Sequence, residues 1–119
     1  MNLALVMAGG ALGAALRFFL SIRFNDHILF LQNPGILIAN GTGCLLLGVF
    51  NNSTYSDHPL KYFFSVGLLG ALTTFSTFIA EAFSINQKNN IGQTILFMLI
   101  HLCIGIILYK LGLSLGKLI

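Results

Sequence analysis

Residues Gly67 to Glu81 read GLLGALTTFSTFIAE. The stretch lies inside a long apolar segment, yet its centre carries the hydroxyl residues Thr73, Thr74, Ser76 and Thr77. Phe75 and Phe78 are set among them, and the helix-weakening Gly67 and Gly70 precede them. An ordinary buried helix gains nothing from that mixture. In lipid an unpaired backbone group costs several kcal/mol, so irregular backbone persists there only where it lines a protected cavity. The stretch is predicted to be a broken membrane helix whose interruption forms a binding or conduction site.

The rest of the chain agrees with a membrane setting. It has 119 residues, enough for one domain, with 56% hydrophobic and only 8% charged residues. Soluble domains carry roughly 25% charged residues. Mean hydropathy is +0.90. The formal charge of +3 is small and scattered and gives no footprint for nucleic acid. No basic region precedes the first apolar run and no polar domain follows it, so a cleaved signal peptide is not expected. Cys44 and Cys103 both fall in apolar segments and read as small packing residues rather than a disulfide or metal site.

Working outward, four segments approach the ~20 apolar residues that cross a bilayer, at about 3–22, 34–50, 61–84 and 91–115. In the first, Gly9 and Gly13 form a GxxxG pair, extended by Gly10 and Ala14, that permits close helix approach. The second opens with Asn33 as a candidate cap and Pro34 at the first helical position. Ala39 and Gly43 are its small pair. The sequon at Asn40-Gly41-Thr42 lies at membrane depth, where it is unusable. Asn86 to Asn90 reads as a short turn, and His101, Gly105 and Tyr109 recur every fourth residue along the last segment. His27 and His58 fall in loops and read as solvated. The expected fold is an all-α integral membrane protein of four transmembrane helices with a break in the third.

Lys61, Lys110 and Lys117 belong to the side of the membrane that carries both termini; Arg23 and Lys88, with Arg17 nearby, belong to the other. The positive-inside bias is therefore almost absent. A chain without preferred orientation can insert both ways, which permits an antiparallel, dual-topology dimer.

Several side chains can carry chemistry. Arg17 is an intramembrane cation that either attracts an anion into a wet vestibule or snorkels to the headgroups. Asn40 offers amide donors to a desolvated anion or to a neighbouring helix. Phe75 and Phe78, three apart, share a helical face; they pack as core or aim electropositive ring edges at one point. Thr74, Ser76 and Thr77 can place hydroxyl donors beside them. Glu81 is one turn past the break and either pairs with a hydroxyl or Lys or reaches water. His101 and Tyr109 either extend a polar track or hydrogen-bond across the bundle.

LTTFSTF, with Gly70 before it and Glu81 after it, resembles the third-helix signature of the small fluoride channels, the Fluc/CrcB family. GGALGAALR at Gly9 to Arg17 is similar to that family's first helix, and NPGILIANGTG at Asn33 to Gly43 to its second. The resemblance spans nearly the whole chain. It implies passive export of fluoride through an antiparallel dimer with two pores in the cell membrane. It further implies that Asn40, Phe75 and Phe78 contact the ion, with Thr74, Ser76, Thr77 and Arg17 along its path. The carbonyls of Gly70 and Thr73, from both subunits, would hold a structural Na⁺ at the dimer interface; half-helix C-termini are electronegative and suit sodium. Glu81, His101 and Tyr109 take supporting roles. The second subunit is either a copy of this chain or a paralogue.

A proton-coupled small multidrug antiporter shares the length, the four helices and the charge balance. Such proteins need a carboxylate in their first helix, where this chain has Arg17. A non-transporting assembly subunit would gain nothing from so many polar groups at mid-membrane. No nucleophile–base pair, metal cluster or phosphate loop is visible, so an enzyme is not expected.

Overall fold

The computed structural model describes residues 2–26, 31–54, 58–88 and 90–118. The chain is helical almost throughout: α1 (Asn2–Arg23), α2 (Pro34–Asn51), a π-helical segment (Tyr62–Leu69) that runs into α3 (Gly70–Leu72), then α4 (Phe75–Gln87) and α5 (Ile91–Gly116). Four spans are long and apolar enough to cross a membrane: Asn2–Arg23, Pro34–Asn51, Tyr62–Gln87 and Ile91–Gly116. Each lies within a few residues of its expected bounds. The largest difference is at the end of α4, which continues through Asn86 and Gln87 because the buried Ile85 holds that last turn on the core. His27 lies outside the described residues, whereas His58 is exposed and accepts the Leu60 N–H at Nδ1.

Helix ends follow local chemistry. Pro34 starts α2, where its missing N–H costs nothing. Asn33 does not cap it: its amide turns away and donates to the Ser21 carbonyl and hydroxyl, at 3.2 and 2.8 Å. Asn90 caps α5, accepting from the Gln93 N–H at 3.1 Å. Thr74 caps α4, accepting from the Thr77 N–H at 3.3 Å.

Glycine sets the packing of the spans. α1 lies against Tyr62–Leu69, and a Cβ on Gly9 or Gly13 would run into the Phe63 or Leu68 carbonyl. The GxxxG pair therefore joins two spans of one chain. Gly10 is off that contact, with nothing within 4 Å of the position a Cβ would take. On the other side α2 lies along α5, with Gly48, Gly112 and Gly116 in backbone-to-backbone approach. Two apolar clusters fill the bundle: Ala39, Leu69 and Leu72 beneath the break, and Phe78, Ala82, Ile85 and Phe97 between α4 and α5.

Many large apolar side chains remain exposed, among them Leu3, Phe18, Phe19, Ile106 and Ile107. On an apolar four-helix bundle this is the surface a bilayer or another chain covers. Cys44 is half-buried and Cys103 exposed, both as free thiols, so the second departs from the expectation of a packed interior cysteine.

Candidate functional site

The third span breaks at two residues. Thr73 (φ −76°, ψ 149°) and Thr74 (φ −146°, ψ 119°) are extended, between helical Leu72 and helical Phe75. Upstream, the winding is wide: the Gly70 N–H points back to the carbonyls of Ser65, five residues earlier, and Gly67. Such π turns cluster at functional positions. Gly70 itself is an ordinary right-handed helical residue (φ −62°, ψ −34°), so the expectation of irregular backbone there is corrected. The irregularity begins at Thr73.

Asn40 of α2 pins the break. Its Oδ1 accepts the Thr74 N–H at 2.7 Å and its Nδ2 donates to the Thr74 carbonyl at 3.2 Å. The side-chain amide thus imitates a backbone partner and satisfies both polar groups of a residue that has left the helix. Because the Thr74 N–H is diverted to Asn40, the Gly70 carbonyl loses the helical donor four residues ahead. Arg17 reaches the same place: its Nη1 donates to the Thr73 carbonyl at 3.3 Å. It neither snorkels nor stands as a free cation. Gly70 and Thr73 therefore offer hard carbonyl oxygens, and on Thr73 a cationic group already sits. That donor chemistry fits an alkali cation, with further ligands needed from outside one chain.

Below the break, three hydroxyls gather at the start of α4. Thr74 Oγ1 donates to Thr77 Oγ1 at 3.1 Å and lies 3.4 Å from Ser76 Oγ. Thr74 is buried; Ser76 and Thr77 are exposed. The first-turn N–H groups and the helix dipole at this end favour negative charge.

The two phenylalanines share a face, with ring centroids 5.7 Å apart, but not an environment. Phe75 is 75% exposed, whereas Phe78 is 5% exposed and stacked on Phe97 at 5.5 Å. His101 closes the aromatic cluster, 5.1 Å from Phe78 and 4.2 Å from Phe97. Its Nδ1 lies 3.1 Å from the Phe97 carbonyl. A groove of about 650 Å³ on this side is lined by Asn40, Thr73, Thr74, Phe75, Phe78 and His101, and continues along α5 to Tyr109 and Lys110. Tyr109 takes a hydrogen bond at its hydroxyl from Asn51 Nδ2, at 3.2 Å.

A second cavity, about 310 Å³, lies on the far side of the hydroxyl cluster and includes Thr77, Glu81, Ser84, Gln32 and Asn33. Glu81 does not reach bulk water. It is buried, and its Oε1 accepts the Gln32 and Asn33 N–H groups at 2.7 and 2.8 Å. A carboxylate there complements the N-terminus of α2, the job expected of Asn33. Ser84 joins in by donating to Gln32 Oε1 at 3.1 Å. Gln32 and Ser84 were not singled out from the sequence; the polar pair Gln32-Asn33 directly before Pro34 was the available signal. Thr74 lines the groove and Thr77 the cavity, and their hydroxyls are in contact.

Fold and site together define a small multi-pass membrane protein with a polar break in its third span. The chain belongs to the CrcB family: the family described as CrcB-like protein, Camphor Resistance (CrcB), matches residues 4–113. Curated relatives agree over almost the full length. It is 36% identical over 120 residues to "Fluoride-specific ion channel FluC 1" of Staphylococcus aureus (strain bovine RF122 / ET3-1), covering 98% of this chain and 97% of that one. Against "Fluoride-specific ion channel FluC" of Escherichia coli O1:K1 / APEC the identity is 35% over 115 residues, covering 93% and 90%.

Proposed function

We propose that this chain is a fluoride-selective ion channel that lets F⁻ leave the cell down its gradient, and is not an enzyme. Its membership of a family with fluoride-specific relatives supports the substrate. The observation that carries the mechanism is the pinned break: Asn40 holds Thr74 out of the helix, so the Thr74 hydroxyl and the rings of Phe75 and Phe78 line one groove at the start of α4. Fluoride is small and strongly hydrated, and gives up water only where several donors replace it. Ring edges from Phe75 and Phe78 and hydroxyls from Thr74, Ser76 and Thr77 are such donors, and a second subunit closing the groove would narrow the passage against larger anions. Arg17 supplies positive potential behind the break. Glu81, His101 and Tyr109 support the walls of the track.

The channel is an antiparallel dimer of this chain, or of this chain with a paralogue, in the plasma membrane. Near-balanced Lys and Arg permit the two orientations, and an open groove holding the mostly exposed Phe75 needs a second wall. The Gly70 and Thr73 carbonyls of the two subunits would hold Na⁺, which neutralises converging carbonyl dipoles.

A growth test addresses the function. Expressed in a bacterium that lacks its own fluoride exporter, the chain should raise the tolerated fluoride concentration, with no change in tolerance to other halides. Unchanged sensitivity despite correct membrane insertion would contradict the proposal.

A further inference from the structure

His101 poses a question the site leaves open. It is 9% exposed and lines the groove, yet its Nε2 is buried with no hydrogen-bond partner. The other ring nitrogen is committed. Nδ1 faces the Phe97 carbonyl at 3.1 Å, and a carbonyl only accepts, so Nδ1 carries a hydrogen in either charge state. Nε2 therefore has two states: a bare lone pair when the ring is neutral, and an N–H donor when it is protonated. We propose that His101 is a proton-dependent donor to the anion in this groove, so that protonation of Nε2 and anion occupancy favour each other. This rests on the reading of the groove as the anion's path.

The surroundings suit a switch of this kind. Imidazole lies 5.1 Å from the Phe78 ring and 4.2 Å from the Phe97 ring, centroid to centroid, close enough for ring faces to attract an imidazolium. No carboxylate faces it among the described residues. From α2 the groove brings Cys44 and Asn40, and α5 adds Tyr109 and Lys110 two turns on. Glu81 of α4 is turned to the Gln32 and Asn33 N–H groups, and Arg17 of α1 to the Thr73 carbonyl. A protonated His101 therefore lacks a resident counter-charge, and the anion in transit is the group able to supply one. When the ring is neutral, its lone pair repels that anion.

By linkage, the factor by which protonation strengthens anion binding equals the factor by which the anion strengthens protonation. Acid should therefore promote flux. The test measures fluoride efflux from liposomes at pH 8 and pH 5.5, with protein-free liposomes subtracted for leak of HF. Wild type should run about fivefold or more faster at the lower pH, and His101→Gln, which cannot titrate, should show a flat profile. Adding sodium fluoride to purified, weakly buffered wild type at pH 6.5 should also draw protons from solution. That second readout decides the matter if the variant fails to fold. Equal wild-type flux at both pH values with no proton uptake would overturn the role of His101 and leave the fluoride reading standing. An acid response that persists in His101→Gln would overturn it too. Absence of fluoride flux at any pH would remove the fluoride reading and this inference with it.

Discussion

Phe75 and Phe78 sit one turn apart on α4 and answer different questions. Exchange for Ile keeps most of the apolar volume, and such swaps cost below ~1.5 kcal/mol even in a core. At Phe78, stacked on Phe97, part of any loss will be packing. At Phe75, 75% exposed, almost none will be, so Phe75→Ile is the cleaner probe of the ring edge. A contact to a charged partner is worth about 1.5–3 kcal/mol, so Phe75→Ile should lower fluoride flux about tenfold or more with folding unchanged. Phe83, 62% exposed, serves as the inert comparison. Asn40 makes a separate prediction. Asn40→Leu strands the N–H and carbonyl of Thr74, and should lower resistance to denaturant by about 2–4 kcal/mol and abolish flux. Asn40→Asp keeps an acceptor for that N–H and should be the milder lesion in stability. Equal stability of wild type and Asn40→Leu would show that the break is held by something else.

At the scale of elements, apolar runs of membrane length made the four spans legible, and hydroxyls amid such a run exposed the break. Both are local signals. The parts that stayed hidden depend on which helix neighbours which. Asn40 is a clamp only because α2 passes beside Thr74, and Glu81 caps α2 only because α4 crosses its start. The stacking of Phe78 on Phe97 exists only because α4 packs on α5, and the π winding of Tyr62–Leu69 has no periodicity that an apolar run reveals. The glycines sort themselves the same way. A methyl at Gly13 would enter the Leu68 carbonyl, so Gly13→Ala should cost about 1–3 kcal/mol in the chain itself. Gly70 has helical geometry, and a methyl there meets the Ser65 carbonyl at an ordinary 3.6 Å. Within one chain Gly70→Ala should even stabilise the helix, by about 0.5–1 kcal/mol. If Gly70 and Thr73 face a second subunit across sodium, the same change should weaken dimerisation, as should replacing sodium in wild type. A Gly70→Ala protein whose dimer and sodium response match wild type would remove that interface from the account.

The whole molecule is a bundle with a long groove rather than an enclosed pore, and the groove holds Asn40, Thr73, Thr74 and His101. A single chain leaves Phe75 mostly exposed. In the proposed dimer, pairing two such chains in opposite senses would close the groove without requiring a second sequence. A tag on the C-terminus should accordingly be reached from both faces of the membrane in about comparable amounts, given the near-equal Lys and Arg on the two sides. A single orientation would limit the chain to pairing with an oppositely inserted paralogue. The multidrug antiporter of similar size has lost its footing: α1 carries Arg17 on the Thr73 carbonyl where an antiporter needs a carboxylate, and the relatives are named as fluoride channels. What remains is whether this chain passes fluoride and excludes its neighbours. The direct measurement is halide efflux from liposomes holding the purified chain alone, loaded with fluoride or with chloride and read by ion-selective electrodes. The account predicts rapid fluoride release with chloride retained; chloride leaving as fast as fluoride would contradict it.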